Sequence, residues 1–163
     1  MSDSYLYAAG TLLDGGVPYD DIFFEVNPPL MLYLTVPAVA AARLTGLFVV
    51  HAYFLYVFAV VALSLALTWR LVDDYGAPRK GFLAVAVFVL VILPAADFGQ
   101  REPMMVPLAM PYFALAILRA SGRDCPTAMA ILIGGLAALG FAIKPHFLLV
   151  PVLLELYRLT YSR

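Results

Sequence analysis

The ionisable residues of this chain form three groups that could do chemistry. Asp3, Asp14, Asp20, Asp21 and Glu25 stand in the first 29 residues, which hold no Lys or Arg. Arg101 and Glu102 are adjacent near the middle, and Lys144 and His146 flank Pro145 further on. Carboxylates with no cation beside them suit a bound metal or acid/base work, since a carboxylate ligates hard cations and accepts protons. Arg, Lys and His suit an anion such as phosphate. Arg101 and Glu102 can equally be read as solvated charges at the end of a span, where loops are normally charged. His51 has no neighbour at metal-ligand spacing and reads as an interfacial or packing residue.

The elements that must position these groups are apolar helices. Of the 163 residues 64% are hydrophobic and 13% charged, against about a quarter charged in soluble domains. The expected fold is all-α, a polytopic helical membrane protein. Its spans are expected at 47–69, 81–96, 103–118 and 125–143, with a short bent helix over 147–158, because about 20 apolar residues of helix cross roughly 30 Å of hydrocarbon. Residues 1–29 form an acidic outer loop with a short helix and a turn at Gly15 and Gly16, and 30–163 the transmembrane region. Pro28, Pro29 and Pro37 interrupt 26–42 and Arg43 closes it, which predicts a helix at the membrane interface or a kinked span. Gly134, Gly135 and Gly140 are expected to allow close helix packing. The net charge of −1 gives no footing for a nucleic-acid partner, and one cysteine, Cys125, excludes an intrachain disulfide.

Lys and Arg favour the cytoplasmic side. Alternating the spans places Arg70, Arg79, Lys80, Arg119, Arg123, Arg158 and Arg163 inside, seven of the ten basic residues. Arg43, Arg101 and Lys144 remain outside, on the same side as the acidic segment. No basic region and apolar core open the chain, so Met1 does not begin a signal peptide. An acidic outer segment with no span before it, and an end directly after an apolar run, lead to the expectation that the chain is a fragment.

The order SDSYLYAAGTLLDGGVPYDD, FFEVNPPLMLYL, QREPMMVPLAMPYFAL and GGLAALGFAIKPHFLLVPVLL resembles the N-terminal part of the polyprenyl-phosphate-dependent membrane glycosyltransferases. These are relatives of the protein O-mannosyltransferases and of the lipid A aminoarabinose transferase. The resemblance covers nearly the whole chain but only about the first third of a usual member. It implies a C-type membrane glycosyltransferase fold in a bacterial or archaeal plasma membrane. It also implies a hexosyl or pentosyl transferase acting on the outer face, with a lipid-linked sugar donor and an unknown acceptor as partners among the membrane lipids.

On that resemblance Asp3, in Asp3-Ser4-Tyr5, and Glu102, in Arg101-Glu102-Pro103, take the catalytic positions. Glu25, before the double proline, takes a position associated with metal or donor-phosphate binding, so a divalent metal ion is an expected cofactor. Arg101, Lys144 and His146 become contacts for the donor phosphate. Such a transfer needs a carboxylate to orient or deprotonate an acceptor hydroxyl and cations to stabilise the departing phosphate. The span that usually precedes the catalytic loop and the later spans are missing, so the chain alone is expected to be inactive. The rival expectations are a transporter or flippase subunit, whose charges belong near the bilayer midplane, and a non-catalytic membrane assembly fragment.

Overall fold

The computed structural model describes residues 2–18, 20, 29–73 and 79–161. Among them there are helices, turns and short loops and no strand, in keeping with the all-α expectation. Helix α1 (Ser2–Leu13) closes in a turn whose Asp14 amide donates to the carbonyls of Gly10 and Thr11. Helix α2 (Leu30–Thr45) has Pro29 at its N-cap and continues through Pro37 to Gly46. A proline ahead of the first turn costs no helical bond, because the N–H groups there have no intrahelical acceptor.

Helix α3 (Val49–Asp73) is 25 residues long and therefore about 37 Å, and it ends four residues past the expected span. Helix α4 (Arg79–Val87) runs into a π turn at Phe88–Ile92, where the Leu93 amide donates to the Phe88 carbonyl at 2.8 Å. The run expected as one span over 81–96 thus keeps helical backbone angles through Leu93 and Pro94, breaks at Ala95, whose φ is +46°, and ends in a 3-10 turn at Ala95–Asp97.

Helix α5 (Arg101–Ala120) passes unbroken through Pro107 and Pro111, and helix α6 (Thr127–Ile143) follows a short loop. The backbone then extends at Lys144 (φ −137°, ψ 94°) and re-forms as a 3-10 turn, Pro145–Leu148, and helix α7 (Leu149–Tyr161). Two helices, α3 over Val49–Val72 and α5, are long and apolar enough to cross a membrane by length and composition. The apolar stretches Leu30–Thr45, Gly81–Ile92 and Thr127–Ile143 are shorter.

Helix α5 is the central piece, packed against α3 on one side and α6 on the other. Tyr53 and Val57 of α3 cluster with Met104 and Leu108 of α5, whereas Leu71 clusters with Leu115 and Leu118, so the two helices run the same way. Helix α6 runs back, since Ile133 meets Leu118 while Ile143 joins the Met104 cluster. The start of α5, the end of α6 and the start of α3 therefore share one end of the fold with α1 and α2. Thr35 of α2, 1% exposed, donates to the Leu32 carbonyl at 2.7 Å and lies 3.5 Å from the Tyr5 carbonyl of α1.

Two close approaches hold the central helices. Gly140 faces α5 so tightly that a Cβ there would lie 2.9 Å from the Leu108 Cβ and 3.2 Å from the Met105 carbonyl oxygen. Gly134 and Gly135 have nothing within 4 Å of that position, so of the three glycines expected to pack only Gly140 meets a helix. Gly99, with φ +79°, leads into α5 against the Tyr53 ring, and the Tyr53 hydroxyl donates to its carbonyl. Position 103, four residues on, is a proline with no N–H to offer that carbonyl, and Tyr53 supplies the donor instead.

Candidate functional site

The end of the fold that holds α1 gathers several of the charges singled out above. Glu102 stands in the first turn of α5 and Lys144 immediately after α6, so the antiparallel packing of these helices brings together residues 42 positions apart in the chain. They form an ion pair, with Lys144 largely covered and Glu102 about half exposed. Residues expected to serve as catalytic carboxylate and phosphate contact are thus each other's partners.

Arg101 points the other way, its guanidinium carbon 5.8 Å from the centre of the Tyr5 ring. That distance allows a cation–π attraction, which leaves a guanidinium able to form hydrogen bonds at its edge. Asp3 lies in the first turn of α1, two residues before Tyr5. His146 is exposed, its ring 4.5 Å from that of Phe147, and no ion pair joins it to a carboxylate among the described residues. Glu25 lies outside the described residues. Among the described residues no group of three His, Cys, Asp or Glu comes together in a way that could hold a metal ion.

The third of the cations expected on the outer side is also engaged. Arg43 makes a two-pronged bond to Asp14, at 2.8 and 2.9 Å, and donates to the Gly10 carbonyl at 3.0 Å. This fork geometry matches a carboxylate with both oxygens in use. The hydrogen bonds from Arg43 hold the Asp14 carboxyl below its ordinary range. Asp124, in the loop between α5 and α6, is held low first by the Cys125 amide and then by Arg119.

Two contributors have no signal in the sequence. Tyr5 becomes a platform for Arg101 only because α1 folds against the start of α5. Tyr112 of α5 donates to Glu155 at 3.0 Å, and Arg158 donates to the other oxygen of the same carboxylate at 2.9 Å, tying α7 to the bundle. Only the spacing of Glu155 and Arg158 along one helix face could have been anticipated.

Comparison of the chain with family models, with curated proteins and with solved structures finds no match in any of the three.

Proposed function

We propose that this chain belongs to a membrane glycosyltransferase that transfers a sugar from a polyprenyl-phosphate donor to an acceptor at the outer face. The observation that supports it most is the convergence of Arg101, Glu102 and Lys144 beside the first helix at one end of the fold. In this reading α3 and α5 cross the membrane, α4 and α6 return, and the chain is a multi-pass protein of a bacterial or archaeal plasma membrane.

The donor phosphate is an anion that competes with Glu102 for Lys144. Its arrival takes the ammonium, leaves the carboxylate unpaired and so raises its affinity for a proton. Glu102, or Asp3 from α1, then accepts the proton of the acceptor hydroxyl. The acceptor oxygen forms its bond to the anomeric carbon as the bond from that carbon to the phosphate oxygen breaks. The electron pair leaves with the phosphate, whose charge Arg101 and Lys144 stabilise. The ion pair thereby makes the base available only when donor is present.

Membranes containing the protein in its native sequence context test this with a photoreactive polyprenyl phosphate and with the sugar-loaded donor. Lys144→Met is expected to lower phosphate labelling roughly tenfold, the scale of one charge-assisted hydrogen bond. Glu102→Gln combined with Asp3→Asn is expected to keep the labelling and lose transfer. Labelling and transfer that survive both changes would sink the reading.

A further inference from the structure

Helix α2 carries an apolar surface that its packing leaves open. Tyr33, Pro37, Ala41 and Leu44 recur along one stripe of it and are all exposed, Leu44 to 88%. Thr35 and Arg43, which hold α1, project from the other side of the helix. The stripe runs into the turn at Gly46, where Leu47, Phe48 (80% exposed) and Val50 stand open as well. Connecting turns ordinarily face water with polar side chains, so large apolar ones gathered at this turn require an apolar cover.

The lengths of α2 and α3 say which cover. From Phe48 to Trp69 the chain of α3 rises about 32 Å, close to the roughly 30 Å of a hydrocarbon core. Trp69, the one tryptophan in the chain, and the exposed Arg70 beside it suit the headgroup level at one boundary, which puts the Phe48 turn at the other. Helix α2 has 16 residues, about 24 Å, and is too short to cross upright. Its core cluster draws on Tyr53 and Val57 of α3, Met104 and Leu108 of α5 and Ile143 of α6, all from the charged end of the fold. Among the described residues none of α2 joins the Leu71–Leu118 cluster at the other end.

Helix α1 excludes a crossing on other grounds. It runs beside α2 in the same direction, with Tyr5 next to Thr35 and Asp14 bound to Arg43, and it turns Ser4, Tyr7 and Asp14 outward. A crossing α2 would carry that polar edge and the Asp14–Arg43 pair into hydrocarbon, where ionised groups are costly.

We infer that α1 and α2 lie flat on the outer leaflet as a two-helix plate whose partner is the lipid surface. The α2 stripe and the Leu47–Phe48 turn sink into the boundary between headgroups and acyl chains, and α1 faces water. Of the two expectations for residues 26–42, this takes the interface helix and not the kinked span. The inference rests on the membrane placement of α3 in the proposed function and on none of its chemistry.

Three proteins with a single tryptophan test it, each made on Trp69→Phe: Leu44→Trp, Phe48→Trp and Tyr7→Trp, at exposed positions where the new ring displaces no packing. They are measured in phosphatidylcholine bilayers whose acyl chains carry bromine either near the headgroup or near the midplane, and separately with iodide in the water on both sides. Leu44→Trp and Phe48→Trp are expected to be quenched most by the shallow bromines and to lose iodide quenching, and Tyr7→Trp to do the reverse. Iodide quenching of Leu44→Trp as strong as that of Tyr7→Trp overturns the inference, because α2 then lies in water. Bromine quenching of Tyr7→Trp as strong as that of Leu44→Trp also overturns it, because α1 has then entered the bilayer. Shielding of Leu44→Trp from both quenchers overturns it too, since a protein surface such as a second copy then covers the stripe. Trp69 in the unaltered chain reports the membrane placement separately. If bromine quenches Trp69 while Leu44→Trp stays in water, this inference falls alone; if bromine leaves Trp69 unquenched, the proposed function falls with it.

Discussion

Replacing each of the three glycines of α6 with alanine should separate packing from propensity. In a helix interior alanine is favoured over glycine by about 0.8–1.0 kcal/mol. Gly134 and Gly135 have open space where the methyl would go, so their alanine variants should match or slightly exceed the parent in stability. At Gly140 the methyl would lie 2.9 Å from the Leu108 Cβ, 3.2 Å from the Met105 oxygen and 3.4 Å from the Ala109 amide nitrogen. Two of these are backbone atoms, which cannot rotate away as the tip of a side chain can. Forcing an extra methyl into a filled contact costs about 1–3 kcal/mol. Less the propensity gain, the expected net loss is about 0–2 kcal/mol, and each kcal/mol lowers the melting temperature by roughly 2–4 °C in a chain of this size. Thermal unfolding followed by circular dichroism in one detergent would rank Gly140→Ala lowest of the three. A Gly140→Ala protein as stable as Gly134→Ala would refute the close contact between α5 and α6. Because Lys144 follows Gly140 by four residues, the same displacement should loosen the Lys144–Glu102 pair.

Gly99→Ala should destabilise by about 1–2 kcal/mol from its positive φ alone, and by more because the Tyr53 ring lies 3.0 Å from the new methyl; an unchanged melting temperature would refute this. Tyr53→Phe keeps the buried ring but strands the Gly99 carbonyl, an expected loss of about 1–3 kcal/mol measurable by the same unfolding. Asp14 is held low in the folded chain, so its pairing with Arg43 stabilises fully above the unfolded carboxylate range and is lost as the pH falls through the depressed folded value. Amide exchange in α1 should therefore stay slow at mildly acidic pH and quicken only below the ordinary carboxylate range. Asp14→Asn should remove that acid dependence, and exchange with the same pH profile in both proteins would discount the pair.

The long elements were legible because composition and uninterrupted apolar length suffice for them: α3 and α5 fall close to the windows read from sequence. Pro145 likewise marks the break after α6, since the residue before a proline is pushed out of helical geometry, as Lys144 is. Helix α4 was harder to read. Its apolar residues run on to Ala96, but α4 packs on α3 whereas the π turn at Phe88–Ile92 meets α5, and hydropathy does not register that change. The site was legible as a set of residue types and not as a set of pairs. Nothing in the spacing says that Arg101 turns to Tyr5 while its neighbour Glu102 turns to Lys144, because that choice follows from which helix lies on each side of the start of α5. Arg43 is the plainest case. In the sequence it only closes an apolar run, and the structure makes it the clamp between α1 and α2.

The prolines of α5 have a mechanical consequence. Pro103, Pro107 and Pro111 recur every four residues along one stripe, and Pro107 and Pro111 are fully buried. Pro103 falls in the first turn and costs no helical bond, but Pro107 and Pro111 each lack the amide that would brace the turn before them, so along this stripe the helix is missing two successive struts while its opposite side keeps them. Such a rod is compliant in one direction and stiff in the others. Its flexing would tilt the end that bears Glu102 against the end that bears Ile117, while the Tyr53 hydroxyl ties Gly99, just ahead of the helix, to α3.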